Sequence, residues 1–280
     1  MKKFFRVLIV TMFVVFAAVT AQAGSISDYL ENELLDHVFG NGTYTVPSIY
    51  IALSTADPTD DASGLAEPSG NGYARVAHSS WNTAASRAID NNGTITFPQA
   101  TGSWGTITHY AIFDAATAGN MLAHGSLTDS KSIASGNTPS IADEEIEISF
   151  NAGAISNYLA LELLDHVFGN GAYSVPTIYL ALSTANPGDD FTGLSEPSGN
   201  NYSRLAHSSW STASGGALSN SSTATFATPS GSWGTITHSA IMDAATAGNG
   251  LFYATATPNQ SPGNGDTVRF NTGDWDVSLD

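Results

Sequence analysis

The chain has 280 residues, with eight Lys and Arg against twenty-five Asp and Glu and a formal net charge of −17. So few cations argue against a nucleic-acid surface, which needs Lys and Arg to neutralise phosphates. There is no cysteine, hence no disulfide and no thiol chemistry, and a 42% hydrophobic content is that of a folded chain.

Residues 1–23 read as a secretory signal peptide. Lys2, Lys3 and Arg6 precede an apolar run at 7–18, and Ala21-Gln22-Ala23 forms a small-x-small cleavage site before Gly24. The run is shorter than the roughly 20 residues a membrane span requires, so no span is expected after cleavage. Cleavage removes three basic residues and no acid, leaving five against twenty-five and a net charge of −20. The expected location is secreted, extracellular or at the cell surface, with the periplasm as the other destination.

The remainder is a tandem duplication. SWGTITHYAIFDAATAGN at 103–120 returns at 232–249 with changes only at Tyr110/Ser239 and Phe113/Met242. The offset of 129 holds without a gap, and about two positions in three are identical over 29–119. Such a period sets two domains of ordinary size, 24–152 and 153–280. No linker separates them, so a fixed arrangement of the two is expected.

Each copy opens with a helix. Residues 28–39 carry Leu30, Leu34, Leu35 and Val38 on one face. Asp28 with Glu31 reads as the capping box and Gly40 as the stop; Asn157 and Gly169 take these places in copy two. Strands are expected next at 48–55, 73–78, 94–97, 107–113, 121–127 and 145–150. The segments 57–72, 82–93 and 129–136 read as loops. One helix followed by short strands predicts a mainly β chain of two tandem β-sandwich, jelly-roll-like domains, each preceded by one short α-helix.

The loop at 57–67 holds Asp57, Asp60, Asp61 and Glu67; copy two has Asp189, Asp190 and Glu196. Clustered carboxylates in a Gly-containing loop suit a hard cation, so these seven are the candidate ligands for calcium, although the spacing is not that of an EF-hand. The alternative is a solvated acidic loop making local turn bonds. No cofactor is otherwise expected. The histidines show no close metal spacing. His37 lies in the last turn of its helix, where a partial positive charge is favourable. A Ser/His/Asp set can be drawn from Ser79 or Ser80, His78 and Asp114, but adjacent strand residues face opposite ways and there is no nucleophile elbow. Trp104 and Trp233, at expected turns, are candidates for stacking on a sugar ring, with core packing as the alternative. Arg75 and Arg204 are expected to pair with Glu67 and Glu196.

Four motifs carry a family resemblance: YLENELLDHVFG at 29–40, PSIYIALST at 47–55, GLAEPSGNGYAR at 64–75 and GSWGTITH at 102–109. Together they resemble phage virion proteins of the tail-fibre or virion structural type. The resemblance spans essentially each copy. It implies a small β-rich structural module, not a catalyst, and transfers no catalytic residue. The leader and the duplication depart from it and suggest a phage-derived module reused by a bacterium outside its inner membrane. The expected function is a secreted, non-enzymatic structural or adhesive protein. Its partner would be itself, as a head-to-tail or lateral homo-oligomer in a layer or filament, or a surface glycan or protein. A carbohydrate-binding protein is the alternative, with a secreted hydrolase behind it.

Overall fold

A computed structural model describes residues 24–153 and 155–279; the expected signal peptide lies outside the described residues. Repeat 1 runs β1 (Ser25–Ile26), α1 (Asp28–Phe39), β2 (Tyr50–Ser54), β3 (Val76–Ala77), β4 (Ala88–Asp90), β5 (Ile95–Thr96), β6 (Gly105–Phe113), β7 (Met121–Ile133), β8 (Ser140–Ile141) and β9 (Glu147–Ser149). Repeat 2 runs α2 (Asn157–Val167), β10 (Tyr179–Ser183), β11 (Leu205–Ala206), β12 (Ala217–Ser219), β13 (Ala224–Thr225), β14 (Ile236–Met242), β15 (Gly250–Gln260), β16 (Arg269–Phe270) and β17 (Asp276–Ser278). The chain is mainly β, as expected, with antiparallel pairing throughout the named strands.

The main sheet of repeat 1 has the order β1-β7-β6-β2-β3, and that of repeat 2 the order β11-β10-β14-β15. Two small pairs, β4-β9 and β5-β8, complete repeat 1; β12-β17 and β13-β16 complete repeat 2. Alternation along β2 sends Ile51 and Leu53 into the principal core and Ala52 to the opposite face. There Ala52, Ala111, Phe113 and Met121 pack under Ala62 and Leu65 of the acidic loop.

The helix expected over 28–39 is present, and in both repeats the cap lies one residue earlier than the sequence suggested. Ser27 caps α1, its Oγ accepting from Leu30 N at 3.2 Å, and Ser156 caps α2 at 3.0 Å from Leu159 N. A serine in extended backbone places its hydroxyl over the first turn's free N–H groups, which moves Asp28 and Asn157 into the helix. Gly40 closes α1 at φ 77°, a left-handed geometry glycine adopts without strain. Two expected loops hold structure: 82–93 contains β4, and β7 runs on to Ile133.

The repeats share one continuous apolar core. They meet along a seam built from the last turns of α1 and α2, with a pseudo-two-fold relation. Phe39 packs on Trp210 at 4.5 Å between ring centroids, and Phe168 on Trp81 at 4.3 Å. Asp36 Oδ1 accepts from Ala213 N at 2.8 Å, and Asp165 Oδ1 accepts from Ala84 N at 2.8 Å. Asn41 Nδ2 donates to Ser211 O, and Asn170 Nδ2 to Asn82 O, both at 2.7 Å. Each contact has its mate at an offset of 129, which defines an isologous interface: the same patch on both sides.

Candidate functional site

Four groups of residues could carry function: the seam histidines, the acidic loops, the tryptophans, and the Ser/His/Asp sets. The seam places His37 and His166 face to face, ring centroids 4.9 Å apart and planes 12° apart. His37 Nδ1 accepts from Tyr44 N at 3.2 Å and its Nε2–H donates to Tyr173 O at 2.9 Å. His166 repeats this with Tyr173 N at 3.3 Å and Tyr44 O at 3.2 Å. One nitrogen accepts and one donates on each ring, so both imidazoles are neutral with a fixed tautomer. Burial holds the His166 pKa below its ordinary value, with its Tyr44 bond opposing and the neighbouring His37 adding to the fall. The sequence shows His37 in a last turn; it does not show that the ring turns inward onto the other repeat.

The acidic-loop residues have separate tasks. Glu67 takes three hydrogen bonds from Arg75, the shortest 2.7 Å, and one from the Tyr73 hydroxyl at 2.7 Å. Arg75 Nη1 also donates to Ala115 O and Ala118 O, tying the 114–119 hairpin loop to the acidic loop, and its guanidinium lies 3.4 Å from the Phe113 ring centroid. Glu196, Arg204 and Tyr202 form the same knot in repeat 2. Asp61 accepts from Thr59 Oγ1 and Ser63 N; these bonds, the first the larger, hold its carboxyl down at about 2. Asp190 accepts from Thr192 N and Oγ1, and its pKa is lowered for that reason. Asp60 accepts from Ser25 Oγ at 3.0 Å and lies 2.9 Å from His124 Nε2. At the equivalent place Tyr253 OH donates to Asp189 at 2.7 Å. Asp57 accepts from Thr59 N and stands 3.7 Å from His124 and 4.0 Å from His109. Among the described residues no three His, Asp or Glu side chains gather as a metal site. The seven carboxylates proposed for calcium serve as turn bonds, loop ties and the two Arg–Glu knots.

Trp104 and Trp233 lie in the core at 4% and 3% exposure, with Nε1 donating to Asn71 O and Asn200 O at 2.9 Å. Tyr73 and Tyr202 meet them edge-on at 5.2 and 5.3 Å. Neither indole offers a free face for stacking on a sugar. The turn is where the sequence suggested, but the ring folds inward because its one polar atom finds a backbone carbonyl there.

His78 packs edge-on against Trp81, while Asp114 accepts from Asn120 within its own hairpin loop; the set that the sequence argued against is not assembled. Another Ser/His/Asp grouping arises where Ser25 Oγ lies 3.4 Å from His124 Nε2. That nitrogen is already engaged by Asp60 at 2.9 Å, so it is not poised as a base toward the serine.

Arg87 breaks the two-fold relation. It donates to Phe150 O, Asn151 O, Ile155 O and Asn157 Oδ1, clamping the segment that joins the repeats. Its φ is 69°, and its counterpart Gly216 has φ 68°. A glycine adopts this backbone freely and an arginine does not, so the clamp is held against local strain. The sequence offered a signal for it: a cation standing where the other copy has glycine.

No curated protein matches the chain. The family model for the podophage GP4 fiber I protein gp80 matches it twice, over 25–149 and 154–278, one match per repeat. The match covers nearly all the described residues, and the chain belongs to the podophage GP4 fiber I protein gp80 family as a tandem duplication of its module.

Proposed function

We propose that the chain is a non-enzymatic structural protein acting outside the cytoplasm, in which two fibre modules are pre-paired into one rigid unit that assembles with further copies. The observation that carries this is the isologous seam. A two-fold interface is closed once formed, so this face cannot propagate a head-to-tail filament. Growth must use the outer surfaces. On the main sheets, β7 past His124 and β15 past Phe252 pair on one side only among the described residues. Unpaired strand edges can add a strand from another chain. Two such edges related by the pseudo-two-fold would give each unit two attachment points and support lateral, open-ended assembly. Family membership supports the structural reading. Among the described residues no helix is long and apolar enough to cross a membrane.

Size-exclusion chromatography with light scattering and negative-stain microscopy of the purified chain test the proposal. Species larger than one chain that grow with concentration are expected. Proline substitution at Ser126 and Thr255, on the outer strands, should abolish them. A chain that stays monomeric at every concentration overturns the assembly role.

A further inference from the structure

The first strand of repeat 1 fills a place that repeat 2 leaves open. Gly24 is buried between β7 and β9, its N–H donating to Glu147 O at 2.8 Å and its carbonyl accepting from Ser149 N at 3.3 Å. This segment runs antiparallel to β7 and bridges β9 in parallel. A Cβ at Gly24 would stand 2.5 Å from His124 O and 2.7 Å from the Tyr110 hydroxyl, so the place admits glycine alone. In repeat 2 the equivalent residue is Gly153, whose Cβ position has no atom within 4 Å beyond its chain neighbours. The strand groups that such a residue would meet still face the gap. Asn220 N donates to Trp275 O and Leu279 N to Gly216 O, which fixes the residues of β17 that bond β12. Alternation then turns Asp276 O and Ser278 N the other way, where they have no partner among the described residues. Across the gap, the bond from Ser156 N to Leu251 O sets Thr255 of β15 outward by the same rule. Beneath, Tyr110 and Leu127 of repeat 1 are replaced by Ser239 and Ala256. A cleft of about 780 Å³ opens there, lined among others by Ser239, Thr255, Phe270 and Asp276.

We infer that repeat 2 binds an extended basic peptide segment of a partner protein, laid between β15 and β17 where Gly24 lies in repeat 1. The incoming strand runs antiparallel to β15 and parallel to β17, donating to Asp276 O and accepting from Ser278 N. Unpaired strand groups are a template for adding a strand. Because Ser239 stands where Tyr110 closes repeat 1, the residue in the Gly24 place can send a large side chain down into the cleft. Charge selects the partner. Asp266, Asp274 and Asp276 line the cleft against Arg269. The first two are held in turn bonds from Gly263 N and Asn271 N, so they act through their charge and not by contact; the resulting field favours Lys and Arg on the occupant. A strand between two walls must also be free on both edges, whereas every named strand of this chain already pairs with another. A second copy can therefore join β15 edge to edge but cannot fill the gap. The inference rests on the open β15 edge named for assembly, not on copies joining there; a bound peptide would cap that edge.

The test is fluorescence anisotropy of a labelled octapeptide, Lys alternating with Thr around one central Phe, titrated with the full chain. Two comparison peptides carry Glu in place of Lys, or Pro in place of Thr, which removes backbone donors. A Kd of about 10–100 µM is expected for the basic peptide, and binding at least about tenfold weaker for the other two. Amide hydrogen exchange at Ser278 should slow when the basic peptide is bound. Asp276→Lys, at an exposed position, should weaken binding about tenfold. Ser239→Tyr with Ala254→Gly, which rebuilds the closed seat of repeat 1, should abolish it. No binding up to about 1 mM overturns the inference. So do equal affinity for either comparison peptide, unchanged exchange at Ser278, and unchanged binding by Asp276→Lys. Slowed exchange at Ser278 on concentrating the chain alone would assign the gap to a second copy and overturn the partner. Assembly is read without peptide, so failure of one reading is distinguishable from failure of the other.

Discussion

At the seam the two repeats contribute matched contacts, Asp36 to Ala213 and Asp165 to Ala84, at the same 2.8 Å. In the far half of each fold they have parted: Tyr110 fills repeat 1 and Ser239 leaves repeat 2 open. A mutation at the seam affects both copies at once, because each contact joins a residue of one copy to a residue of the other. A mutation at the far half is felt in one copy only. The contrast teaches where a duplicated chain can vary: away from the surface on which the copies depend.

The strongest way to break this comparison is at the seam aromatics. Trp81→Ala and Trp210→Ala should each cost about 3–5 kcal/mol in urea unfolding, the range for a large aromatic removed from a core. The two values should agree within about 1 kcal/mol; a larger gap would show that the pseudo-symmetry is not energetic. Next, Tyr110→Ser should cost about 3 kcal/mol, since it empties a filled site and frees Glu147 O. Ser239→Ala in repeat 2 should change stability by less than about 1 kcal/mol. Equal costs would mean the cleft is closed in solution. The Arg–Glu knots sharpen the contrast further. Arg75→Ala should cost about 2–3 kcal/mol once the 22% exposure of Glu67 is discounted. Arg204→Ala should cost about 0.5–1 kcal/mol less, because Met242 stands where Phe113 stacks under Arg75.

The smallest effect is that of pH. Burial lowers the pKa of His166 at the seam and of His78 and His207 beside the seam tryptophans. The unfolded chain therefore binds protons more readily than the folded one. The stability these groups contribute is full above the ordinary histidine value of 6.5 and is lost as pH falls through the lowered folded values. Tm should drop by a few degrees between about pH 7.5 and pH 5. A Tm that rises on acidification would contradict the neutral stacked pair.

Much of the fold is visible in the residues. Leu30, Leu34, Leu35 and Val38 mark α1 by their spacing, and Gly40 ends it. The β-branched and aromatic run at 48–55 marks a strand buried on both faces. The Arg75–Glu67 pairing follows from a nearly lone cation among carboxylates. The seam could not be read in the same way. His37 and Phe39 look like the end of an amphipathic helix, and what they touch lies more than a hundred residues away. Trp104 misleads for a related reason: a tryptophan between serine and glycine suggests an exposed turn, while the Asn71 carbonyl that draws its N–H inward comes from another loop. The cleft depends on missing volume at 239 and 256 together, and periodicity carries no measure of volume. The Tyr110/Ser239 difference, one of two within the repeated block, was its trace there.

The joining segment clamped by Arg87 has a consequence for dilution. Two separate modules with this seam would find each other only as often as their concentration allowed. Tethered by residues 150–157, each meets its partner at an effective concentration set by the tether and not by the solution. The paired unit therefore keeps its form however thinly the protein is spread.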